Sequence, residues 1–411
     1  MKGVKSFPKK VFLFLRMSAV SNKCCNFEAT IFLNTFMPMK TNAKIESVSN
    51  RSSEKFEVDE IFLKISEQIK SEIEGRTLDE AIDYLVGKVD PKMLFRKRLK
   101  TVWYSIGTMN RIIDAGNADK MIKISEALQV RGIEMLGEAV AARPEVKAIL
   151  IAGPSSSGKT TFSKKLAQSL ERNGLVPKCI SFDDYYVDRA RTPLDEDGEY
   201  DYESLYAVDV ALFQQHFQQL LAGEEVELPR YDFIQGRSVK SGNRLALTSD
   251  TVLIMEGIHA LNPILTGSIP DENLFRIYIS GLTVAKNDDG SYYPTTDNRL
   301  IRRMVRDAQF RGTSAQETLA RWASVRRGED KWIVPFQENA DVNFCTAFQY
   351  ELSLLKTQAI PLLKDVSKGT PEYQEAQRLK WVLNRFHDIP EELLPPYSLL
   401  REFIGGSAFE Y

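Results

Sequence analysis

Residues 153 to 160 read G-P-S-S-S-G-K-T: small, flexible residues closed by one Lys and one hydroxyl. Short side chains leave main-chain N–H groups free to turn toward an anion, and Gly lets the backbone approach it without a Cβ in the way. The spacing is G-x-x-x-x-G-K-[ST]. Successive amides form a nest for phosphate oxygens, and the helix that follows adds the positive end of its dipole. Lys159 then reaches the β- and γ-phosphates, and the Thr160 hydroxyl ligates Mg²⁺. A nucleoside triphosphate is the expected ligand, held by Gly153, Pro154, Ser155, Ser156, Ser157, Gly158, Lys159, Thr160 and Thr161.

Two acidic positions stand where such a loop needs them. "SFDDYY" (181–186) closes an apolar segment and puts Asp183 and Asp184 at a strand end. A carboxylate there accepts a proton from an attacking hydroxyl and also holds Mg²⁺. "IMEG" (254–257) ends a second apolar run, so Glu256 organises the metal or its waters. Asp183, Lys159 and Glu256 are the catalytic candidates; Thr160, Asp183 and Glu256 are the metal candidates. Further on, Arg299, Arg302, Arg303 and Arg306 repeat at i, i+3, i+4 and i+7, with Arg311 after them. They share one helical face. Only Asp297 and Asp307 lie close by in sequence. The stripe is either a solvated face paired with local acids or a clamp for moving phosphate charge, and the shortage of acids favours the clamp.

These residues need a scaffold. "KAILIAG" reads as a buried strand, and "KTTFSKKLAQSLERNG" as a helix stopped by Gly174. "PKCISF", "TVLIMEG" and "LFRIYIS" are further strands; "VDVALFQQHFQQLLAG" and "TDNRLIRRMVRDAQFRG" are further helices. Strands alternating with helices predict an α/β fold, a parallel sheet with helices on both faces and ligands beyond the carboxyl ends of the strands. Helical spacing also runs through "VDEIFLKISEQI" and "ADKMIKISEALQVRGIEMLGEAVAA" before the sheet, and through "FQYELSLLKTQAIPLL" and "PEYQEAQRLKWVLNRF" after it. The expected organisation is a disordered leader (1–53), a helical N-terminal region (54–145), the phosphate-binding domain (146–348) and a helical C-terminal extension (349–411).

Composition removes other classes. The 411 residues carry 54 basic and 56 acidic side chains, a net charge of −2, so no global basic excess points to nucleic acid or a membrane surface. No apolar stretch is long enough to span a bilayer. Cys24, Cys25, Cys179 and Cys345 lack metal-ligand spacing, which predicts a reducing, cytoplasmic setting. Residues 1–27 are basic and free of acids around "VFLFL"; they read as a targeting peptide or as a disordered extension, and the shortness of the run favours the second.

In order, the phosphate loop, "SFDDYY", "YDYESLYAVD", "ELPRYDF", "MEG", "RLIRRMVRD" and "RG" resemble the uridine kinase and phosphoribulokinase family of P-loop kinases, over roughly Val146 to Phe348. "TPEYQEAQRL" and "SLLREFIGGS" are similar to a longer microbial branch of uridine or nucleoside kinases. That branch carries an N-terminal extension resembling part of threonyl-tRNA synthetase, most of which is expected to be absent here. The resemblance implies the P-loop kinase fold with N- and C-terminal helical extensions, ATP and Mg²⁺ as cofactors, and a nucleoside as substrate. It implies that Asp183 takes the proton of the nucleoside 5′-hydroxyl, with Thr160 and Glu256 beside it around Mg²⁺. Tyr186, Asp201 and Tyr231 would line the nucleoside site, Asp201 on the ribose hydroxyls. Arg303 would contact substrate, and Arg306 and Arg311 would clamp the ATP phosphates.

The sequence departs from the family where the base is read. Pyrimidine-specific members place a His in the "YDF" segment; the corresponding position here is Gly236. Later substrate-binding Arg and Gln positions fall on Thr313 and Arg321, and "GLTVAKNDDGSYYP" is an insertion. Arg321, Arg326 and Arg327 would suit a more anionic substrate. The leading expectation is therefore phosphorylation of a nucleoside 5′-hydroxyl, uridine or cytidine by family. Alternatives are a kinase of the same fold acting on a sugar phosphate or another nucleoside, and a nucleotide-regulated binding protein. The chain has no N-K-x-D guanine-reading motif, and the retained Asp183 and Glu256 argue for catalysis. A homo-oligomer is left open.

Overall fold

The computed structural model describes residues 75–86, 102–232, 235–267, 269–287 and 293–410. The expected leader (1–53) and the helix expected over "VDEIFLKISEQI" lie outside the described residues. Before the main sheet come α1 (Leu78–Val86), β1 (Val102–Ser105), α2 (Ile106–Asp114) and α3 (Ala118–Ala141). Then follow β2 (Ala148–Ala152), α4 (Lys159–Arg172), β3 (Val176–Ser181), α5 (Val210–Leu221), β4 (Val226–Asp232), β5 (Arg237–Leu245), β6 (Thr251–Glu256), β7 (Leu274–Ser280) and β8 (Thr283–Lys286). α6 (Asp297–Phe310), α7 (Ala315–Trp332), β9 (Val342–Cys345), α8 (Glu351–Lys364) and α9 (Glu372–Leu383) complete the chain, with a one-turn helix at Arg401–Ile404.

The main sheet is five-stranded, ordered β3-β6-β2-β7-β9, and every neighbour is parallel. The expected α/β class is what forms. β2 lies at its centre, and its side chains alternate between two cores. Ile149 and Ile151 join α3, α4, α8 and α9 on one face; Ala148, Leu150 and Ala152 join α5 on the other. That double burial is why "AILIA" is uniformly apolar. Each large side chain so buried stabilises the sheet by about 1.5–3 kcal/mol.

Two features were not expected from periodicity. β1 breaks the helical N-terminal region and pairs in parallel with β8, inside the "GLTVAK" insertion. β4 and β5 form an antiparallel hairpin beside the main sheet, and β4 carries Tyr231. The N-terminal helix α3 packs along α4, with Met121, Ile133, Leu136 and Val140 in one cluster with Phe162, Leu166 and Leu170. Among the described residues no helix is long and apolar enough to cross a membrane.

Candidate active site

β2 feeds the phosphate loop directly, and its first residue has to be Gly. A Cβ on Gly153 would lie 2.3 Å from the Ile279 carbonyl oxygen at the end of β7. Backbone cannot yield by that much. The carbonyls of Ser155, Ser156 and Ser157 are each held by a donor from elsewhere in the fold. Ser155 O accepts from Arg299 Nη1 at 3.1 Å, Ser156 O from Arg302 Nη1 at 3.4 Å, and Ser157 O from the Thr346 hydroxyl at 2.5 Å. Arg303 Nη1 donates to the Ser155 hydroxyl at 2.8 Å. Ser156 sits at φ 57°, a left-handed position that this bracing maintains. At the start of α4, the Lys159 and Thr160 amides belong to the turn that has no intrahelical acceptors, which is where a phosphate binds. Lys159 Nζ folds back on Gly153 O and Pro154 O, at 3.0 and 3.3 Å.

The Arg stripe is therefore corrected in part. Arg299 and Arg302 are neither solvated nor free to clamp a ligand. Arg299 makes a bidentate pair with Glu329 (2.6 and 2.8 Å), and Arg302 a bidentate pair with Glu351 (2.7 and 2.6 Å). All four side chains are buried. The missing acids come from α7 and α8, far along the chain, and the two guanidiniums brace the loop from behind. Arg303 lies 3.3 Å from Asp307 and 3.8 Å from Glu203. Arg306 donates twice to Asp307, at 2.9 and 2.7 Å, while Arg311 is half exposed and 3.7 Å from the same carboxylate. Arg326 and Arg327 also have carboxylate partners, Glu329 with Asp330 and Asp195 with Asp197.

The acidic candidates converge on the loop. Register places Ser181, at the end of β3, opposite Glu256, and Glu256 opposite Ile151 of β2. Glu256 Oε1 is 3.3 Å from the Thr160 hydroxyl and 3.3 Å from the Ser181 hydroxyl. Burial pushes its carboxyl up to about 7, Asp183 and Glu402 push the same way, and Lys159 pulls it down. Asp183 is the second residue of a one-turn helix (Phe182–Tyr185), and its amide donates to the capping Ser181 hydroxyl. Asp184 turns instead to the hairpin and accepts from the Tyr231 amide at 3.3 Å. This contact brings Tyr231 against Tyr186, ring centroids 5.6 Å apart and edge to face. Tyr186 is partly buried, and desolvation holds its hydroxyl above the usual phenol range; Asp183 and Glu203 push it further, while Arg311 and Arg303 oppose them.

Other expected site residues are engaged within the protein. Thr161 is buried, and its amide and hydroxyl both donate to Glu402 Oε2, at 3.0 and 2.6 Å. Asp201 accepts from the Glu203 amide at 3.1 Å, and its charged neighbours are Lys331 and Asp195. Gly236, at φ 65°, packs under Arg189; a Cβ there would be 2.7 Å from the guanidinium carbon.

Four residues near the loop escaped the sequence reading: Glu203, His259, Glu329 and Glu402. Glu203 lies inside "YDYESLYAVD" and feels Arg303, Lys159 and Asp183; burial pushes its carboxyl up to about 7. His259 follows Glu256 by three residues and is buried, and burial pulls its pKa down to about 4, so the ring is neutral near pH 7. Glu329 accepts from the Ser155 amide at 3.2 Å. No spacing rule ties Glu329 or Glu402 to residues 153–160; Glu402 lies in the "SLLREFIGGS" segment, which carried only a family resemblance.

Comparison with known proteins gives the family. The Phosphoribulokinase / Uridine kinase family matches residues 148–352. A uridine kinase from Halobacterium salinarum is 28% identical over 196 residues, covering 47% of this chain and 78% of that protein. A uridine kinase from Staphylococcus aureus is 30% identical over 193 residues, covering 47% of this chain and 84% of that protein. Among solved structures, D-glycerate 3-kinase from Cryptococcus neoformans is 15% identical, covers 67% of this chain and 87% of its own, and superposes with a TM-score of only 0.30. The relatives are phosphotransferases, the phosphate loop is that of a nucleotide-using kinase, and this chain belongs to the phosphoribulokinase/uridine kinase family.

Proposed function

We propose that the protein transfers the γ-phosphoryl group of ATP to the 5′-hydroxyl of a nucleoside, uridine or cytidine first among them. The observation that carries this reading is the meeting of Thr160, Ser181 and Glu256 within 3.3 Å contacts at one end of the sheet, with Asp183 two residues beyond Ser181. The aromatic pair Tyr186–Tyr231 borders the same acid and supplies flat apolar surface suited to a base. Uridine is chosen because the curated relatives are uridine kinases. The same kinship suggests pyrimidine salvage in the cytoplasm.

Asp183 would accept the proton of the attacking hydroxyl, and Tyr186 and Tyr231 would orient the nucleoside so that this oxygen faces the loop. Lys159, already folded along the loop, would swing onto the phosphate oxygens, with Arg303, Arg306 and Arg311 on the acceptor and donor sides. The hydroxyl and carboxylate oxygens of Thr160, Glu256 and Asp183 are hard donors of the kind Mg²⁺ takes alongside phosphate and water. When bound there, Mg²⁺ would offset the charge of the phosphate oxygens. A sugar-phosphate acceptor gains less support, because Arg326 and Arg327 are already occupied by acids.

The test is a phosphate-transfer screen with labelled ATP against nucleosides, nucleotides and sugar phosphates. Product on uridine or cytidine, lost in Asp183→Asn, supports the proposal. Product only on a phosphorylated acceptor would replace it with the second reading.

A further inference from the structure

We propose that Glu402 is an autoinhibitory latch of the nucleotide site: its carboxylate competes with a phosphate of the nucleotide for the Thr161 amide and must turn aside for the nucleotide to seat. The inference rests on the nucleotide half of the reading above and adds a regulation to that same site. Lys159, Thr160 and Thr161 open α4, so their amides have no intrahelical acceptor and are the donors a phosphate loop offers. With Lys159 directed to the β- and γ-phosphates, this turn cradles the phosphates nearer the nucleoside. One of those donors is taken from within the chain. Glu402 Oε2 accepts from the Thr161 amide at 3.0 Å and from the Thr161 hydroxyl at 2.6 Å. A carboxylate oxygen thus holds the place of a phosphate oxygen.

The backbone that carries Glu402 is fixed. Leu399, Leu400 and Phe403 are buried in the cluster that holds Phe162 and Leu166 of α4. Leu399 packs so closely on the loop that a Cβ at Gly158 would lie 2.5 Å from its Cδ2. The Arg302 guanidinium stands 5.0 Å from the centroid of the Phe403 ring. Arg401 donates to Glu391 Oε1 at 2.8 Å and to Leu394 O at 2.7 Å. The Glu402 side chain is not tied down in this way. Glu329 also accepts from a loop amide, that of Ser155, but Arg299 and Arg326 lock it in place. Among the described residues Glu402 has no ion pair, and both of its side-chain hydrogen bonds go to Thr161. Its charge reaches Glu256 on one side and Arg306 on the other, the groups assigned to the metal and to the phosphates. Rotation about the side-chain bonds of Glu402 is enough to pass the Thr161 amide from carboxylate to phosphate while the rest of the segment stays where it is. The site accepts nucleotide only in the fraction of molecules whose Glu402 has turned aside, and the latch raises the concentration at which it fills.

The experiment is calorimetry on the full-length protein without an acceptor, giving Kd for ATP and ADP in the wild type, Glu402→Gln and Glu402→Ala. Gln keeps an oxygen on the Thr161 amide and removes the charge; Ala removes the competitor altogether. Glu402→Ala should tighten both Kd values by about 10- to 100-fold, the range for a hydrogen bond to a charged group. Glu402→Gln should stand between it and the wild type. Glu392→Ala, which removes an exposed carboxylate elsewhere on the same extension, should leave both values within about twofold, since solvent and salt screen it. A crystal structure of the wild type with a non-hydrolysable ATP analogue decides the matter independently, even if Glu402→Ala does not fold. There the Thr161 amide should bond a phosphate oxygen, with Glu402 turned away. A Glu402→Ala Kd no tighter than wild type, equal gains in the Gln and Ala variants, or Glu402 still on the Thr161 amide beside bound nucleotide each overturns the latch and leaves the kinase reading standing. Nucleotide binding with the expected dependence on Glu402, in a protein that phosphorylates no nucleoside, overturns the acceptor reading and leaves the latch. Binding of neither ATP nor ADP by the wild type or any variant overturns both.

Discussion

Replacing Glu351 by Gln leaves the Arg302 guanidinium buried without its counter-charge. In the folded chain neither side chain is exposed, and the pair is bidentate at 2.7 and 2.6 Å. Glu351 also accepts from the Phe348 amide at 2.8 Å. Removing one partner of such a pair costs about 3–5 kcal/mol, because the remaining charge keeps its desolvation penalty and loses its compensation. A domain whose total stability is about 5–15 kcal/mol would be brought close to its margin. Replacing both residues with apolar ones of similar volume would not restore the whole loss. Arg302 also donates to Ser156 O at 3.4 Å, which would be orphaned at about 1–3 kcal/mol, and to Thr346 O at 3.1 Å, which would keep only Gln129 Nε2 at 3.4 Å. Urea unfolding of wild type, Glu351→Gln and the double variant Arg302→Met/Glu351→Leu, at pH 7 without nucleotide, measures both terms. The expected order is wild type most stable, the double variant between, and Glu351→Gln least stable. A Glu351→Gln loss below about 1 kcal/mol would refute the account of Arg302 as a buried, compensated brace.

Asp183→Asn should cut turnover by several orders of magnitude and leave ATP affinity within about threefold, read by transfer kinetics and nucleotide titration; unchanged turnover would remove Asp183 from the role of base. Glu402→Gln keeps the shape of the contact with Thr161 and removes a negative charge from the start of α4. Nucleotide Kd should tighten by about 2- to 5-fold, as expected for one charge at a helix N-terminus, and calorimetry showing weaker binding would reverse that sign. The Glu203 carboxyl, held up to about 7 by burial, keeps a proton in the folded chain that the unfolded chain has already released above the ordinary value of 4.5. Its contribution to stability is therefore fully present below about 4.5 and is lost as pH rises through about 7. The stability of wild type relative to Glu203→Gln should fall across that window by on the order of 2 kcal/mol, read from urea midpoints between pH 4 and pH 8. His259 works in the opposite direction: it stays neutral in the folded chain down to about 4, so its contribution is lost as pH falls from 6.5 toward that value.

Much of the framework was legible because it is local. "AILIA" followed by a Gly-Ser loop and an amphipathic helix has one economical arrangement, and the parallel sheet follows from the alternation of strands and helices. Asp183 and Glu256 could be named because each ends an apolar run, and the carboxyl ends of parallel strands share one edge. β1 was not legible: a four-residue strand leaves little period to read, and its partner β8 lies far along the chain. The meaning of the Arg stripe was not legible either. Spacing set four guanidiniums on one face, but nothing local specified that Arg299 and Arg302 would be buried against Glu329 and Glu351.

By itself, then, the order of residues determined the phosphate loop, the class of sheet and the edge at which acids gather, since these depend on side-chain size and on periods of a few residues. Tertiary structure alone decided which charges are buried braces of the loop and which stay outside such pairs. An ion pair between positions 302 and 351, a carboxylate from position 402 on Thr161, or the Glu203 carboxylate beside Arg303 depends on how distant segments pack. The energy of each such charge is set by its burial and by its neighbours in space, neither of which is encoded in the spacing along the chain.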